Sequence, residues 1–328
     1  MSALLSVQNL HVGFKGSHGP KVVRGVSFSL EAGETVGLVG ESGSGKSITA
    51  QAIMGLLPAS ATVGVGSSIK FREQELVDAP LRVLQYLRGS SLAMVFQDPF
   101  SSLNPTMKLG EQVAEVLRIH KGMTKGEATA RTLELFEAVR LPDAETKLSQ
   151  YPHEISGGQR QRVLLAMAFA CSPALLIADE PTTALDVTVQ AQILILLREL
   201  ATQSQCGVLL ITHDLGVVAA SCQRVLVMYA GQIVEAGTTS QILSHPRHPY
   251  TQGLLESLPP LDGERVERLS ALPGQPPNLN VAVAGCAFYP RCTIGEESRC
   301  TTIEPQLLLT DDGSHAVRCH FARPRPSR

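Results

Sequence analysis

A glycine-rich segment near the start of the chain fits the pattern G-x-x-x-x-G-K-[ST] and reads Gly40-Glu41-Ser42-Gly43-Ser44-Gly45-Lys46-Ser47. It lies between an apolar run at 35–39 and a helical pattern at 47–57, which is the context this motif requires. The glycines let such a loop wrap a phosphate, with backbone N–H groups and a helix N-terminus directed at the anion. We expect Lys46 to bridge the β- and γ-phosphates and the Ser47 hydroxyl to ligate Mg²⁺.

Short apolar runs elsewhere in the chain are typical of strands covered on both faces. They occupy 35–39, 92–96, 174–178 and 208–212. Helical patterns follow several of them, and this alternation predicts an α/β fold with a mostly parallel sheet. Residues 22–30 and 224–234 are predicted as antiparallel edge strands. Between 97 and 162 the strand pattern disappears, and amphipathic patterns at 110–119 and 125–139 predict a helical insertion.

The composition changes near residue 245. Of the 20 prolines, 11 lie from Pro246 onward, and four of the seven cysteines follow in the same stretch. This shift predicts a boundary between a regular α/β body and a loop-rich C-terminal module. The predicted division is a nucleotide-binding core at 1–97 and 163–245, a helical subdomain at 98–162, and a C-terminal extension at 246–328.

Charge and hydropathy argue against a nucleic-acid-binding, a membrane-spanning or a secreted protein. The chain carries 28 Lys and Arg against 30 Asp and Glu, so it has no electrostatic reason to bind nucleic acid over its whole surface. The longest apolar run, 163–171, is about half of the roughly 20 residues that a membrane-spanning helix needs. The first six residues do not predict a signal peptide. We therefore expect a cytosolic chain without structural disulfides.

An acidic pair, Asp179-Glu180, ends the apolar run at 175–178. Asp179 at the tip of a strand is suited to hold the Mg²⁺ shell, and Glu180 is suited to orient and deprotonate an attacking water. By itself, such a pair is more typical of a solvated loop. The glycine-rich segment at 40–47, here called the phosphate-binding loop, makes a functional role for the pair more plausible, because such a loop requires an acidic partner.

A second small-residue segment, Ser156-Gly157-Gly158-Gln159, precedes a helical pattern at 160–170. A serine and two glycines at the start of a helix predict another anion site. A simple helix cap explains the segment equally well when it is taken alone.

In combination, these segments resemble the nucleotide-binding subunits of ATP-binding-cassette transporters. The resemblance covers residues 1–245, where the phosphate-binding loop, Gln97, the signature at 156–159, the acidic pair, Asp186 and His213 follow in order. Ile155 stands where the family's signature usually opens with Leu, which is an apolar exchange. The resemblance implies a P-loop NTPase cassette with a mostly parallel RecA-like core, an antiparallel β edge and a helical subdomain.

The resemblance also assigns roles to single residues. Phe14 lies where the family stacks an aromatic ring on adenine, and Ile48 continues the segment expected to contact ATP. Gln97 resembles the glutamine that contacts Mg²⁺ and the attacking water, and His213 resembles the histidine that contacts the γ-phosphate. Outside this context, both Phe14 and His213 are more typical of a core. The expected catalytic residues are Glu180, His213 and Gln97, and the expected Mg²⁺ ligands are Ser47, Gln97 and Asp179.

Dimerisation is part of the mechanism that the resemblance implies. In the family, the signature of one subunit caps the ATP held by the phosphate-binding loop of the other. The residues expected to act on the partner's ATP are Ser156, Gly157, Gly158, Gln159 and Asp186. Two ATP molecules close such a dimer, hydrolysis reopens it, and the helical insertion transmits the motion to a membrane permease.

A narrower resemblance comes from His245-Pro246-Arg247-His248-Pro249-Tyr250-Thr251, which is similar to the C-terminal extension of dipeptide/oligopeptide and nickel importer ATPases. It implies a peptide importer with a second, paralogous ATP-binding subunit, two permease subunits and an extracytoplasmic substrate-binding protein, at the cytoplasmic face of the inner membrane. Alternatives are an importer of nickel or another small solute, a soluble cassette ATPase acting on nucleic acid or ribosomes, and a metal-responsive regulator.

Four late cysteines, Cys286, Cys292, Cys300 and Cys319, have the spacing C-x5-C-x7-C-x18-C. Thiolate ligation suits zinc or an iron–sulfur cluster, and the spacing alone leaves these two and free thiols open. His315 and His320 are further candidate ligands under the zinc hypothesis. Dipeptide-importer subunits with a similar tail carry a [4Fe–4S] cluster there, so the resemblance implies a [4Fe–4S] cluster, with Zn²⁺ as the alternative. A loop-rich module of this size is expected to need such a cross-link for stability.

Overall fold

The computed structural model describes residues 3–14, 21–98, 102–183, 185–257, 272–277, 284–310 and 313–322. Within these residues the strands are β1 (Leu5–Phe14), β2 (Val23–Leu30), β3 (Thr35–Val39), β4 (Ala61–Val63), β5 (Ser68–Phe71), β6 (Gln74–Glu75), β7 (Leu92–Val95), β8 (Leu175–Asp179), β9 (Gly207–Thr212), β10 (Arg224–Tyr229), β11 (Gln232–Thr238), β12 (Leu308–Leu309) and β13 (Ala316–Val317).

The helices, over the same residues, are α1 (Lys46–Met54), α2 (Leu81–Leu87), α3 (Leu109–Lys121), α4 (Lys125–Ala138), α5 (Ala144–Lys147), α6 (Gly157–Phe169), α7 (Val187–Ser204), α8 (Leu215–Ser221), α9 (Thr239–Ser244), α10 (Pro249–Glu256) and α11 (Glu297–Cys300). Short 3-10 helices occupy Pro152–Glu154 and Tyr289–Arg291. Over the described part of the chain, every helix is too short or too polar to cross a membrane.

The chain forms two compact units. The first unit draws its described residues from 1–5, 29–35 and 70–211, and the second from 6–28, 36–69 and 212–328. The phosphate-binding loop belongs to the second unit, whereas the acidic pair and the signature segment belong to the first. The predicted division into core, helical subdomain and C-terminal extension stays a prediction.

Parallel strands form the centre of the first unit. β8 pairs with both β7 and β9 in parallel, and all five of its residues are buried. The predicted strands at 92–96, 174–178 and 208–212 are confirmed to within one residue at each end. The predicted insertion contains α3, α4 and α5 joined by loops, and α4 begins with a capping box in which Thr124 and Glu127 exchange hydrogen bonds.

The second unit places β10 between two different partners. β10 pairs in parallel with β3, where Leu226 lies opposite Leu38, and antiparallel with β11. β13 continues this sheet beside β11, and β12 pairs with β13. In a separate pairing, β1 runs antiparallel to β4, with Phe14 opposite Ala61.

The prediction of a single antiparallel edge strand at 224–234 is therefore wrong. The segment turns at Ala230 and Gly231, whose φ angles are 47° and 80°, so it forms a hairpin. A Cβ on Gly231 would lie 2.3 Å from the carbonyl oxygen of Val22, so the close approach also requires glycine. The Gly231 N–H donates to the carbonyl of Ser44 at 2.9 Å, which ties the hairpin to the phosphate-binding loop.

An aromatic cluster joins the C-terminal residues to the strands of the second unit. Tyr229 of β10 packs against Tyr250 of α10 with ring centroids 4.6 Å apart, and Phe288 lies 5.3 Å from Tyr229 and 5.5 Å from Tyr250. Tyr250 is fully buried and Phe288 is 3% exposed. The C-terminal residues therefore share a core with the strands of this unit, and the burial of these rings stabilises both.

A buried carboxylate fixes the same region. Glu235 of β11 accepts hydrogen bonds from the backbone N–H groups of Arg247 and His248 at 2.6 and 3.0 Å, and from Nε2 of His315 at 2.7 Å. His248 in turn accepts the N–H of Tyr250 on its Nδ1 at 3.0 Å and so caps α10. Because Nδ1 is the acceptor, this cap requires the neutral imidazole.

Acid is therefore expected to weaken the second unit through His248. Burial lowers the pKa of His248 from 6.5 to about 4, against the opposing effect of the Glu235 carboxylate. The neutral form's contribution to stability is complete above pH 6.5 and is lost as the pH falls toward 4. Between about pH 7.5 and about pH 5, the wild-type chain should lose about 2 kcal/mol more unfolding free energy than His248→Asn, which caps without titrating.

Urea unfolding followed by tyrosine fluorescence measures this difference, since the chain has no tryptophan. Equal losses in the two proteins would show that folding does not lower the pKa of His248.

Candidate functional site

The phosphate-binding loop joins the buried strand β3 to α1, which begins at Lys46. Lys46 is 5% exposed, and its Nζ donates to the carbonyls of Gly40 and Glu41 at 2.8 and 2.9 Å. A further contact of 3.4 Å joins Nζ to Oγ of Ser44. The ammonium thus lies across the loop at the N-terminus of α1, where its charge and the helix dipole both attract an anion.

The remaining residues of the predicted ATP segment differ in exposure. Ser42 and Gly43 are exposed, Ser47 and Ile48 are half-buried, and Gly45 is buried as the N-cap of α1. The solvent-facing part of the loop is therefore its middle, and Ser47 stands one residue into the helix. This arrangement leaves polar groups of the loop accessible to a ligand.

The structure adds two residues at this loop that the sequence did not indicate. The N–H of Glu41 donates to the hydroxyl of Tyr250 at 2.8 Å. Arg291 makes a two-pronged ion pair with the Glu41 carboxylate, with Nη1 and Nη2 at 2.7 and 2.9 Å from its oxygens. Arg291 lies 250 positions from Glu41, so no local pattern could have found the pair.

In the first unit, the acidic pair and Gln97 lie together. Oε2 of Glu180 accepts hydrogen bonds from Nε2 of Gln97 and from Oγ1 of Thr183, each at 2.9 Å. Glu180 has a φ of 47°, a left-handed conformation that costs on the order of 1 kcal/mol for a residue with a side chain. Its N–H donates to Ile211 at 2.9 Å and holds it directly after β8, where Asp179 is 4% exposed. Thr183 is a further residue that the motifs did not single out.

Two predicted contacts with nucleotide are exposed side chains of the second unit. Phe14 ends β1 and is 39% exposed, and His213 follows β9 and is also exposed. The alternative that these are core residues is therefore excluded. Asp214, the next residue, accepts the N–H groups of Gly216 and Val217 and caps α8.

The signature segment begins a helix. Ser156 caps α6 by accepting the N–H of Gln159 at 3.3 Å, and the Gln159 side chain accepts the N–H of Ser156 at 3.2 Å. Ile155, which precedes this capping box, is buried. Asp186 plays the same part for α7, since its carboxylate accepts the N–H of Val189 at 2.9 Å. The N-termini of α6 and α7 in the first unit are therefore each capped by a side-chain oxygen.

The predicted iron–sulfur cluster at Cys286, Cys292, Cys300 and Cys319 is wrong, and so is the zinc alternative. Over the described ranges, no three or more His, Cys, Asp or Glu side chains are grouped so that they could hold a metal ion. Burial raises the pKa values of the thiols of Cys286, Cys292 and Cys319, the last to about 11. The thiolate is the form that binds metal, and burial disfavours it here.

Direct contacts take the place of the expected metal cross-link. The N–H of Cys286 donates to the carbonyl of Cys300 at 2.7 Å, and His315 bonds Glu235. His320, the other candidate zinc ligand, contacts the carbonyl of Ile303 at 2.9 Å. All four cysteines are free. The other three, Cys171, Cys206 and Cys222, are also free, and they are buried.

Comparison with known proteins gives two family matches. Residues 23–183 match the model described as ABC transporter, and residues 234–300 match the one described as Oligopeptide/dipeptide transporter, C-terminal region. The second match covers Tyr250 and Arg291, which contact Glu41 of the phosphate-binding loop. It also covers Glu235 of β11, which accepts hydrogen bonds from later residues of the chain.

Relatives of nearly the same length are similar throughout. The chain is 52% identical over 314 residues to the oligopeptide transport ATP-binding protein OppD of Haemophilus influenzae, covering 95% of this chain and 96% of the relative. It is 48% identical over 320 residues to the dipeptide transport ATP-binding protein DppD of Bacillus subtilis, covering 97% and 95%. Among solved structures, the dimeric ATP-binding cassette MJ0796 in a post-hydrolysis state, bound to ADP and Pi, is 26% identical with a TM-score of 0.64, covering 72% and 98%.

The two signature glycines are expected to differ in their tolerance of a side chain. A Cβ on Gly158 would lie 2.7 Å from Cγ1 of Val189, a stiff side chain of α7, whereas one on Gly157 would lie 3.5 Å from Leu185. Gly158→Ala should therefore lower the unfolding free energy by about 1–2 kcal/mol through overpacking. Gly157→Ala should change it by less than about 0.5 kcal/mol, because alanine also favours the helix. Urea unfolding measures both, and equal effects would contradict the close packing of α6 on α7.

Proposed function

The chain belongs to the ATP-binding proteins of ABC transporters, and on this premise we propose that it hydrolyses ATP to power the import of peptides through a membrane permease. Its fold is that of an ABC cassette ATPase, with mixed α/β sheets and helices. The observation that carries the peptide substrate is the 52% identity to an oligopeptide transport ATP-binding protein over 95% of the chain. The match of residues 234–300 to the oligopeptide/dipeptide C-terminal region supports the same substrate class.

ATP binds, in this proposal, through the phosphate-binding loop of the second unit. The buried ammonium of Lys46 and the N-terminus of α1 attract the phosphates. Phe14 offers an exposed ring for stacking on adenine. Ser47, Gln97 and Asp179 supply hydroxyl, amide and carboxylate oxygens, a donor set that fits Mg²⁺. Bound Mg²⁺ neutralises charge on the phosphates.

Hydrolysis needs a water held against the γ-phosphate. The Glu180 carboxylate accepts the water's proton as the water oxygen attacks phosphorus, and the bond from phosphorus to the β,γ-bridging oxygen breaks, giving ADP and phosphate. Gln97 and Thr183, each 2.9 Å from Oε2 of Glu180, hold that carboxylate in place. His213 contacts the γ-phosphate in this proposal, and its exposure at the end of β9 is compatible with that role.

A second ATP-binding subunit completes each site. Ser156, Gly157, Gly158 and Gln159 open α6 at an accessible helix N-terminus, and they act on the ATP of the partner, as does Asp186. A dimeric solved cassette that is bound to ADP and Pi supports this arrangement. We propose a paralogue as the partner subunit.

The remaining partners are two permease subunits and an extracytoplasmic substrate-binding protein, and the chain works at the cytoplasmic face of the inner membrane. A groove of about 410 Å³ in the first unit offers a surface of mixed charge for contact with a permease. Its lining includes Glu111, Glu115, Arg118 and Lys125. The relatives reported above do not favour a nickel importer or a soluble cassette ATPase. The metal-responsive regulator would require a metal site, and the described residues form none.

Removing Lys46 or the charge of Glu180 should separate binding from hydrolysis. Lys46→Ala is expected to weaken ATP binding more than about tenfold, because the cation that faces the phosphates is lost. Glu180→Gln should keep ATP binding but lower kcat more than about a hundredfold, since only the water-activating charge is removed. Both are measured in the assembled transporter, with Lys70→Ala and the exposed Glu137→Gln as matched controls.

Wild-type turnover in Glu180→Gln would refute its assignment as the base. Unchanged ATP affinity in Lys46→Ala would refute the binding role of the loop.

Assembly should be required for hydrolysis. The specific activity of the isolated chain is expected to rise with its concentration, and Gly157→Asp should lower it by more than about tenfold by placing a negative charge against the partner's γ-phosphate. The affinity of the variant chain's own loop for ATP should not change. Sedimentation establishes the oligomeric state, and a verified monomer with the turnover of the full complex would contradict the shared site.

A further inference from the structure

The residues that follow the cassette reach the phosphate-binding loop at Glu41. We propose that Arg291 and Tyr250 are positioning residues of the ATP site: Arg291 neutralises and holds the Glu41 carboxylate, Tyr250 holds the Glu41 backbone, and ATP affinity depends on both. This inference rests on the proposed function, because it requires that the loop binds ATP. It adds a function for the C-terminal residues within the ATP site itself.

The buried side chain of Arg291 is held mainly by its ion pair with Glu41. Its side chain is 3% exposed, and its Nη1 and Nη2 approach the two oxygens of Glu41 at 2.7 and 2.9 Å. Nε donates to the carbonyl of Pro273 at 2.8 Å, and Nη1 also reaches the Tyr229 hydroxyl at 3.4 Å. A buried guanidinium with a fixed fork holds a carboxylate in one orientation. The Glu41 contact also raises the pKa of Arg291, so the arginine stays charged.

The charge of Glu41 makes this contact relevant to nucleotide. Glu41 is the second residue of a loop that binds a polyanion, so an unpaired carboxylate there would repel the phosphates. The paired guanidinium cancels that charge, and the pair is only partly open to solvent, since the Glu41 side chain is 25% exposed. Water screens charges less at such a site. The loss of the arginine should therefore weaken the binding of ATP.

Tyr250 links the same loop to the ammonium that faces the phosphates. Its hydroxyl accepts the Glu41 N–H at 2.8 Å, and the Glu41 carbonyl accepts Lys46 Nζ at 2.9 Å. Tyr250 is fully buried against Tyr229 and Phe288, so its hydroxyl has little freedom to move. A single residue, Glu41, thus connects the C-terminal aromatic cluster to Lys46.

The central experiment measures ATP hydrolysis by the assembled transporter and binding of ATP and ADP to the chain. Arg291→Met should raise the KM for ATP about tenfold and change kcat less than about threefold, because the uncompensated carboxylate opposes binding. The affinity for ATP should fall more than that for ADP, which carries less charge. Arg291→Met combined with Glu41→Gln should return KM to within about threefold of wild type, and Arg291→Lys should lie between wild type and Arg291→Met.

Arg318→Met is the matched control for general loosening of the C-terminal residues. Arg318 also lies in the second unit, but it donates to the carbonyls of Ile233 and Pro305, at 2.9 and 3.0 Å, rather than to Glu41. Thermal unfolding shows whether each variant folds. Tyr250→Phe removes one oxygen from the contact, and it should raise the KM for ATP about threefold in a chain that remains folded.

Several outcomes would overturn the inference. These are an unchanged KM in Arg291→Met, a double variant no better than Arg291→Met, an equal rise in KM in Arg318→Met, or an unchanged KM in Tyr250→Phe. Failure of the proposed function looks different, because the wild-type transporter would then hydrolyse no ATP and Lys46→Ala would bind ATP as tightly as wild type. Normal wild-type turnover with any of the first outcomes overturns this inference alone.

Discussion

An ammonium group as buried as that of Lys46 needs oxygen partners, and the phosphate-binding loop supplies them from its own backbone. The carbonyls of Gly40 and Glu41 can serve only if the loop holds one conformation. Two other segments hold it there. The hairpin turn at Gly231 donates to Ser44, and the hydroxyl of Tyr250 accepts the N–H of Glu41. The placement of one charge thus depends on contacts from distant parts of the second unit.

The C-terminal residues are stabilised by burial on that unit rather than by metal. The expectation of a cluster rested on a module judged by its own composition, which is rich in proline and poor in regular pattern. Phe288 and Val317 are nevertheless buried, and β13 extends the sheet through β11. Glu235 adds a hydrogen-bonded anchor with no exposure to solvent. A segment that completes another core needs no cross-link of its own.

The sequence predicted those features of the fold that depend on residues close together along the chain. The loop, β3 and the start of α1 follow from glycines, an apolar run and a lysine at fixed spacing, and the strands that end at Val95 and Asp179 follow from continuous apolar runs. The hairpin was missed because Ala230 adopts a left-handed conformation that its sequence does not announce. The contact between Glu41 and Arg291 could not be predicted, because pairing over 250 positions is set by the packed whole rather than by neighbours.

The distance along the chain between Glu41 and Arg291 also orders events during synthesis. Translation proceeds from the N-terminus, so the phosphate-binding loop leaves the ribosome long before the arginine that neutralises its carboxylate. A nascent chain therefore carries the loop with an uncompensated negative charge until Arg291 has been made. Contacts of such long range close late in folding, because the intervening chain must first be ordered. The ion pair consequently requires synthesis at least as far as residue 291, and a chain released before that point lacks it.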